Sequence, residues 1–298
     1  MKMEQIKVGY CVAYDWYFLE DSLPLIYKEA DIICLSIDIN RVSWSGNKFE
    51  FDESGFQSLI KRLDTSNKIR IYQDNFYLPE LSPMQNEVRQ RNKIAEFMKS
   101  GGWHIQVDSD EYFLHFDKFV SFLQRSNFRR PVNICCPWIN MFKKLDNGFL
   151  IISNKAIRNQ NFMAIATKFP HYEYSRRNGN FNIKTDFAIL HQSWARSNNE
   201  IKDKINNWGH KEDFDTMDFY SKWEQLNENN YTSYKNFNPI IPEAWESLAL
   251  IKSHNIQELI TEVNKNPPFV ISKFYLRVAS NIWYTRFKAL MNILRIRW

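Results

Sequence analysis

Glycine and long apolar runs are scarce in this sequence. Only 8 of its 298 residues are glycine, and there is no run of about 18 apolar residues of the kind that crosses a membrane. The first residues, MKMEQIKVGYCVAYDW, contain neither a long apolar segment nor a small-residue cleavage site, so they do not resemble a signal peptide. These absences predict a folded protein of the cytoplasm without low-complexity segments.

The cysteines do not form a metal-binding or disulfide pattern. Cys11, Cys34, Cys135 and Cys136 lie in apolar, strand-like stretches and lack the paired spacing of a zinc site. Adjacent cysteines are poorly placed to bridge each other. We therefore expect buried free thiols in a reducing compartment.

Positive charge is concentrated at the end of the chain. The sequence has 39 basic and 34 acidic residues, and its formal net charge is +5. Seven of the basic residues, and no acidic residue, follow Glu262. Without those seven, 32 basic residues remain against 34 acidic ones, which is a net charge of −2. No general nucleic-acid-binding surface is therefore expected.

Apolar segments alternate with helical patterns in the first half of the chain. Strands are predicted at residues 6–13, 31–38, 68–74 and 103–108, with helices between them. This alternation predicts a parallel sheet with right-handed crossovers. In such sheets ligands bind at the carboxyl ends of the strands, where the strand order reverses.

The second half is less regular. It predicts a hairpin of residues 132–140 and 148–153, a strand over 181–194, a helix over 197–210 with Ser197 as its cap, and a short helix over 242–251.

Three carboxylates follow the fourth predicted strand in the stretch GGWHIQVDSDEYF. Asp108 and Asp110 are one residue apart, and such a pair can bind a hard divalent cation, which prefers several oxygen ligands. The alternative is that Asp110 and Glu111 cap the helix that follows, whose sequence is KFVSFLQ. The spacing by itself does not separate these alternatives.

A family resemblance favours the cation. A βαβ half, then RN at the start of a helix, then VDSDE after a strand resembles glycosyltransferases of the A-type fold, most like family 2. The resemblance implies an α/β fold with a Rossmann-like, mixed but mostly parallel sheet flanked by helices. It further implies that Asp108 and Asp110 hold Mn²⁺ or Mg²⁺ on the diphosphate of a nucleotide-sugar donor.

The same resemblance implies further donor-binding residues. Arg91 and Asn92 match an Arg-Asn pair near the donor, and Asp38 matches an acid that contacts the nucleoside. Asp15 stands where the family usually has Asn-Glu, although this chain reads YDW there.

A second matching segment lies far downstream. ILHQSWARSNNEIKDKINNWGH resembles the family segment His-x-x-x-x-Arg-Ser-x-x-Glu-apolar-x-x-Lys, which implies His191 as a third metal ligand. The alternative is a structural histidine at the end of an apolar strand. The remaining matched residues are expected to shape the loop and its helix rather than to act chemically; they are Arg196, Ser197, Glu200 and Lys204.

An inverting transfer needs a base that takes the proton of the acceptor hydroxyl, and an acceptor-half carboxylate is the expected type. Glu173 in FPHYEYSRRNG is the first candidate, and Asp186 in IKTDFAI is the competitor. Arg176 and Arg177, which follow Glu173, are interpreted as solvated loop charges or as phosphate contacts.

The chain end predicts a cationic amphipathic helix. Residues 272–298 place Lys and Arg along one stripe and Trp, Phe and Leu along the other, which suits an anionic membrane surface on the inner face of the membrane. The alternative is a helix packed on the rest of the protein. We expect a nucleotide-sugar half over 1–115, an acceptor half over 116–245, and a helical C-terminal extension over 246–298.

Together these features predict a metal-dependent glycosyltransferase whose acceptor is a glycan or a lipid-linked glycan, in polysaccharide or related synthesis. A nucleotidyltransferase is the rival enzyme, but it usually has a glycine-rich phosphate loop after the first strand, and VAYDWYF contains no glycine. A non-catalytic glycan- or membrane-binding protein on the same fold is the rival of another class.

Overall fold

A computed structural model describes residues 3–154, 160–207, 214–284 and 287. In the first part of the chain, strands and helices alternate: β1 (Ile6–Val12), α1 (Leu19–Tyr27), β2 (Ile32–Asp38), α2 (Glu53–Leu63), β3 (Ile69–Asp74), α3 (Pro83–Phe97) and β4 (Trp103–Asp108). The predicted four strands and the helices between them are confirmed.

The second part contains shorter strands and helices. They are β5 (Glu111–Phe113), α4 (Phe116–Arg125), β6 (Val132–Leu145), β7 (Gly148–Ser153), β8 (Phe162–Thr167), β9 (Phe181–Lys184), β10 (Ile189–His191), α5 (Asn198–Asn207), α6 (Thr216–Gln225), β11 (Ser247–Lys252), α7 (Ile256–Lys265) and α8 (Lys273–Ala279). The predicted hairpin is the antiparallel pair β6–β7.

All these strands belong to one mixed sheet. Its order is β3–β2–β1–β4–β8–β6–β7–β11. Outside this order, β9 and β10 pair with β6, and β5 pairs with β10. The first four strands in this order run parallel to one another, whereas β8 is antiparallel to both of its neighbours. The fold is therefore the expected α/β class, with a parallel core flanked by helices and an antiparallel extension.

The strand order reverses at β1. The chain passes from β1 to β2 and β3 on one side, and then returns to place β4 on the other side of β1. Cys11 of β1 is in register with Asp108 at the end of β4. Ligands of open α/β sheets bind in the crevice outside the carboxyl ends of the strands at such a reversal. The fold therefore places Asp108 at the position where a ligand site is expected.

Local signals explain where α3 and β4 begin. Ser82 and Gln85 form a capping box at the start of α3, and Pro83 occupies the first turn, where a missing N–H costs nothing. After the helix, Gly101 and Gly102 both have positive φ angles. A Cβ atom on Gly102 would lie 2.5 Å from the carbonyl oxygen of Gln5, so this turn needs glycine.

The apolar core has several parts. The main cluster lies between the sheet and the helices α1, α2 and α4, and includes Val8, Ile33 and Ile105, which are in register across three strands. A small cluster lies beneath α3 on the opposite face and contains Cys11 and Cys34. All four cysteines are buried and free, as the sequence predicted.

Two sequence-based assignments are wrong. Residues 247–252 form the edge strand β11, antiparallel to β7, instead of a helix. Within the predicted helix over residues 242–251, Pro242–Ala244 forms a short 3-10 turn. Helix α7 then buries Leu259 and Val263 in a cluster that also contains residues of β6 and β7. A helical extension therefore does not begin at residue 246, because the chain as far as α7 packs with the acceptor half.

The predicted strand over residues 181–194 is interrupted. Strand β9 pairs with the beginning of β6, and β10 pairs with its middle, while Thr185 between them binds the carbonyl oxygen of Cys135.

Among the residues that the structure describes, no helix is both long and apolar enough to cross a membrane. The predicted tail helix is described only as far as residue 284 and at residue 287.

Candidate active site

A cavity of about 970 Å³ lies at the carboxyl ends of β1, β2 and β4. Its walls come from both halves of the chain, which meet there because β4 and β8 are neighbours in the sheet. Six of the seven predicted donor- or metal-binding residues line it: Asp15, Asp38, Arg91, Asp108, Asp110 and His191. The cavity is therefore the candidate functional site.

Asp108 is held by two guanidinium groups. Its carboxylate accepts a hydrogen bond of 2.9 Å from Nη2 of Arg91 and lies 2.6 Å from Nη2 of Arg176. Burial by itself would raise the pKa of Asp108, but Arg176 and Arg91 hold it below its usual range. Asp108 therefore remains an anion with both oxygens engaged.

Glu111 is part of the same ion-pair network. Arg176 donates two hydrogen bonds to it, of 2.9 and 2.7 Å. Burial raises the pKa of Glu111 to about 7, although Arg176 opposes this shift. The helix that follows begins at Phe116 with His115 as its N-cap, so Asp110 and Glu111 do not cap it. The capping alternative is wrong, because β5 separates these two carboxylates from the helix.

Asp110 pairs with a different arginine. Nη2 of Arg196 donates to Asp110 at 2.5 Å and to Asp15 at 3.2 Å. Burial opposes ionisation of Asp110, but Arg196 and His191 lower its pKa. The pKa of Asp15 is raised, because burial outweighs the attraction of Arg196. Arg196 therefore joins the loop after β1 to the carboxylate pair after β4.

His191 is oriented by its neighbours. Its Nδ1 lies 3.0 Å from Oδ1 of Asn140, and its ring packs against Trp138 with centroids 4.1 Å apart. Because Oδ1 is an acceptor, Nδ1 carries the hydrogen and Nε2 keeps its lone pair. Nε2 lies 3.8 Å from Oδ2 of Asp110. Burial lowers the pKa of His191 to about 4, so the ring is neutral at pH 7.

The donor set fits a divalent cation only in part. Asp110 and His191 lie close enough to be two ligands of one ion, although the Asp110 oxygen that faces His191, Oδ2, also accepts a hydrogen bond from Arg196. Asp108 does not fit in this arrangement, because Arg91 and Arg176 occupy its oxygens. Throughout the described ranges, no group of three or more His, Cys, Asp and Glu side chains is arranged to hold a metal ion.

Asp38 and Asn92 organise loops. The two oxygens of Asp38 accept hydrogen bonds from four backbone amides, those of Asn40, Val42, Phe76 and Tyr77.

Asn92 lies next to Arg91 in the middle of α3, not at the start of a helix. Among the described residues that line the cavity, Asn92 is not included. Its amide donates to Tyr172 O and accepts from Tyr172 N, both at 2.9 Å. Asn92 therefore anchors the loop that carries Arg176.

The two predicted bases lie on the surface. Glu173 and Asp186 are exposed, and neither is among the described residues that line the cavity. In each case the neighbouring residue is the one that turns inward, Tyr172 beside Glu173 and Thr185 beside Asp186. The structure therefore does not bring either carboxylate to the cavity.

Three basic residues matter more here than their sequence pattern indicated. Arg176 is buried in an ion-pair network rather than being a solvated loop charge. Arg196 and Lys204 line the cavity. Burial, and then the nearby Arg196, lower the pKa of Lys204 to about 8. Ser197 and Glu200 form a capping box for α5, as predicted for Ser197.

Aromatic residues from both halves of the chain line the cavity. They are Tyr14, Trp44 and Phe49 from the first half, and Trp138 and Trp245 from the second half. Trp194 also borders the cavity but is almost wholly buried in an apolar cluster.

No protein-family model matches this chain, and no curated protein matches it. Among solved structures, mannose-1-phosphate geranyltransferase from Thermus thermophilus resembles part of it, with 6% sequence identity and a TM-score of 0.28. The match covers 57% of this chain and 51% of that one, so the chain spans about half the length of that structure. A likeness of this size bears on neither activity nor substrate.

Proposed function

We propose that the protein is a glycosyltransferase that moves a sugar from a nucleotide-diphospho-sugar to a hydroxyl acceptor. The observation that carries the proposal is the cavity at the strand reversal, where Asp110, His191 and Arg196 converge. Its volume of about 970 Å³ is at the upper end of ordinary ligand pockets, as a nucleotide-sugar and part of an acceptor require.

The nucleoside would bind at the end of the cavity near β1 and β2. Trp44 and Phe49 offer ring faces on which a base can stack, and Trp44 is itself held by a hydrogen bond of 2.6 Å to Gln90. Asp38 would act indirectly, because its carboxylate holds the backbone of the loops at this end.

The diphosphate would bind beside Asp110 and His191, which would hold a divalent cation. When bound, such an ion neutralises the charge that develops on the leaving diphosphate. An imidazole ligand suits Mn²⁺ better than Mg²⁺. Asp108 would have a positioning role, since its ion pairs with Arg91 and Arg176 fix α3 and the 172–177 loop to the end of β4.

The acceptor would bind at the end lined by Trp138, Asn161 and Trp245. Of the acceptor-half carboxylates that the structure describes, Glu243 is the one that lines the cavity. We therefore assign the base that takes the acceptor proton to Glu243, in place of Glu173 or Asp186. A lipid-linked or free glycan would present the required hydroxyl.

The test is thermal unfolding with UDP, GDP, CMP or dTDP, each with and without Mn²⁺, on wild type and Asp110→Ala. A nucleotide at 100 times its Kd stabilises the folded state by about 2.7 kcal/mol, which raises the Tm by roughly 5 °C in a chain of this size. We expect such a rise with one nucleotide, larger with Mn²⁺ than without it, and we expect the Mn²⁺-dependent part to be lost in Asp110→Ala. Asp117→Ala, an exposed acid in the first turn of α4, is the matched control.

No rise with any of the four nucleotides would refute the donor site. A rise without consumption of the matching nucleotide-sugar in the presence of varied glycan acceptors would instead support a non-catalytic binding protein. Release of pyrophosphate from a nucleoside triphosphate and a sugar phosphate would support a nucleotidyltransferase.

A further inference from the structure

We propose that Arg196 and Lys204 form an anion subsite that binds the diphosphate of the nucleotide directly. The identity of the ligand as a nucleotide rests on the proposed function. The subsite itself is defined by the geometry of the two side chains. Both residues line the cavity, and both come from the segment that follows β10.

One nitrogen of the Arg196 guanidinium, Nη1, makes no hydrogen bond within the described part of the chain. Nη2 binds Asp110 and Asp15, and Nε donates to Gln192 O at 3.3 Å. Nη1 is buried and has no hydrogen-bond partner within the described part of the chain. The Arg196 side chain is only 3% exposed. A buried charged donor without a partner is costly, so an acceptor from the cavity would relieve it.

The other buried arginines differ in this respect. Arg91 binds Glu87 and Asp108, and Arg176 binds Asp108 and Glu111. No nitrogen of either side chain is among the buried polar atoms found without a partner in the described residues. These two arginines therefore serve the protein's own carboxylates, and Arg196 is the one suited to a ligand.

Lys204 supplies a second cation at the same place. Its Nζ donates to Ser193 O at 2.7 Å, and an ammonium group has three donors, so two remain for a ligand. Arg196 pairs with two carboxylates, those of Asp15 and Asp110. The positive charges of Arg196 and Lys204 equal the negative charges of these two acids in number. A phosphate group accepts several charge-assisted hydrogen bonds, so a guanidinium and an ammonium on one wall suit it.

The test is calorimetric binding of inorganic pyrophosphate, UDP and UMP, or of whichever nucleotide pair raises the Tm, in the presence of EDTA. Lys204→Gln and Arg196→Lys are the variants, because Arg196→Lys keeps a charge opposite Asp110 while losing the second nitrogen. Lys202→Gln, an exposed neighbour on α5, is the control. We expect about tenfold weaker binding of pyrophosphate and of the diphosphate in both variants, and none of this loss in the control.

Equal affinity of the variants and wild type for pyrophosphate and for the diphosphate would overturn the subsite, whether or not the enzyme transfers sugar. Weakening in the two variants without any sugar transfer by wild type would leave the subsite standing and remove the glycosyltransferase. Tight binding of pyrophosphate with no gain from the attached nucleoside would support the subsite and identify a free polyphosphate as its ligand.

An independent observation concerns the surface around α8. Val270 and Phe274 are both 77% exposed, and Trp283 is also largely exposed. Lys273 and Arg277 are exposed beside them, and the sequence has no acid after Glu262. We define these five residues as the α8 surface. Large apolar side chains beside exposed basic residues form a combination that suits an anionic lipid surface.

Other residues of α8 and its C-cap are docked on the protein. Ser280 Oγ accepts from the amide of Lys184, and Lys184 Nζ donates to the hydroxyl of Tyr275 at 3.1 Å. Tyr275 also packs near Phe162, whose neighbours Asn161 and Met163 line the cavity. We infer that the α8 surface binds an anionic bilayer and thereby holds the acceptor end of the cavity near the membrane.

Sedimentation of the full chain with phosphatidylcholine vesicles, with and without phosphatidylglycerol, tests this inference. We expect binding only with the anionic lipid, weakened by salt and reduced at least about fivefold in Phe274→Ser and in Lys273→Glu with Arg277→Glu. The controls are Phe169→Ser, an exposed aromatic outside the α8 surface, and Lys61→Glu. Equal binding by variants and controls, or equal binding to neutral vesicles, would overturn the inference.

Discussion

Arg176 and Glu111 form a fork-to-fork pair in which both carboxylate oxygens accept a guanidinium hydrogen bond, at 2.9 and 2.7 Å. The two residues are 65 positions apart and both are buried. The same arginine also reaches Asp108, so one side chain pairs with two of the three carboxylates between the end of β4 and the start of β5.

Replacing Arg176 with Met should be strongly destabilising. The change leaves Glu111 buried without its ion-pair partner, and such a loss typically costs 3–5 kcal/mol, i.e. about 4 kcal/mol here. Arg177→Met alters the exposed neighbour and should change the free energy of unfolding by less than about 0.5 kcal/mol. Urea unfolding of both variants measures this difference. Similar stabilities would show that the pair contributes little to folding.

Replacing Asp38 with Asn should weaken nucleotide binding and lower stability. The amide presents hydrogens to backbone N–H groups that now donate to a carboxylate oxygen, so at least one buried donor loses its acceptor. The expected cost is about 1–3 kcal/mol in the free energy of unfolding. Unfolding curves with and without the bound nucleotide measure both effects. A fully stable variant with weakened binding would indicate direct contact with the nucleoside instead.

The base can be identified by comparing three isosteric variants. Glu243→Gln should reduce kcat by about 100-fold or more with little change in nucleotide affinity, because it removes only proton transfer. Glu173→Gln and Asp186→Asn should retain turnover near that of wild type, since both residues are exposed outside the cavity wall. Steady-state kinetics with a saturating donor separate these cases. A large loss in either surface variant would restore the assignment made from sequence.

His104 should make the protein acid-sensitive. It is buried in β4, and burial lowers its pKa to about 4, below the ordinary value of 6.5. Between these pH values the unfolded chain binds a proton that the folded chain does not, so stability falls as the pH is lowered through this window. We expect a loss of about 2 kcal/mol from this group between pH 7 and pH 5.

The measurement for His104 is the free energy of urea unfolding at pH 7 and pH 5 for wild type and His104→Gln. The variant lacks the titrating ring. Its free energy of unfolding should therefore fall by about 2 kcal/mol less than that of wild type between pH 7 and pH 5. The other buried ionisable groups are common to both proteins and cancel in the comparison. The same pH dependence in both proteins would mean that His104 is already neutral in the unfolded chain over this range, or titrates normally when folded.

Local sequence patterns were sufficient for much of the fold. The parallel strands follow from buried apolar runs separated by amphipathic helices, and the start of α3 follows from Ser82, Pro83 and Gln85. The edge strand β11 was missed because Leu248–Ile251 is a short apolar run, whose conformation depends on the partner available. In the folded chain that partner is the free edge of β7.

For the candidate site too, some residues were identifiable from the sequence and others were not. Asp108 and Asp110 were identifiable from their place at the end of a buried strand together with the family resemblance, whereas His191 was identifiable from the resemblance alone. All three line the cavity. Glu173 and Asp186 were chosen for proximity in sequence to the expected acceptor region, but proximity does not determine which side of a loop faces inward. Their neighbours Tyr172 and Thr185 are the buried residues.

The sequence by itself determined that carboxylates would collect at the carboxyl edge of a parallel sheet, because strand ends meet there whatever the details of the loops. Only the tertiary structure decided which cations neutralise them. Arg196 is 86 residues from Asp110 and joins it to Asp15 because the segment after β10 packs against the end of β1. Such pairs depend on distances between remote segments, and a local pattern contains no information about those distances.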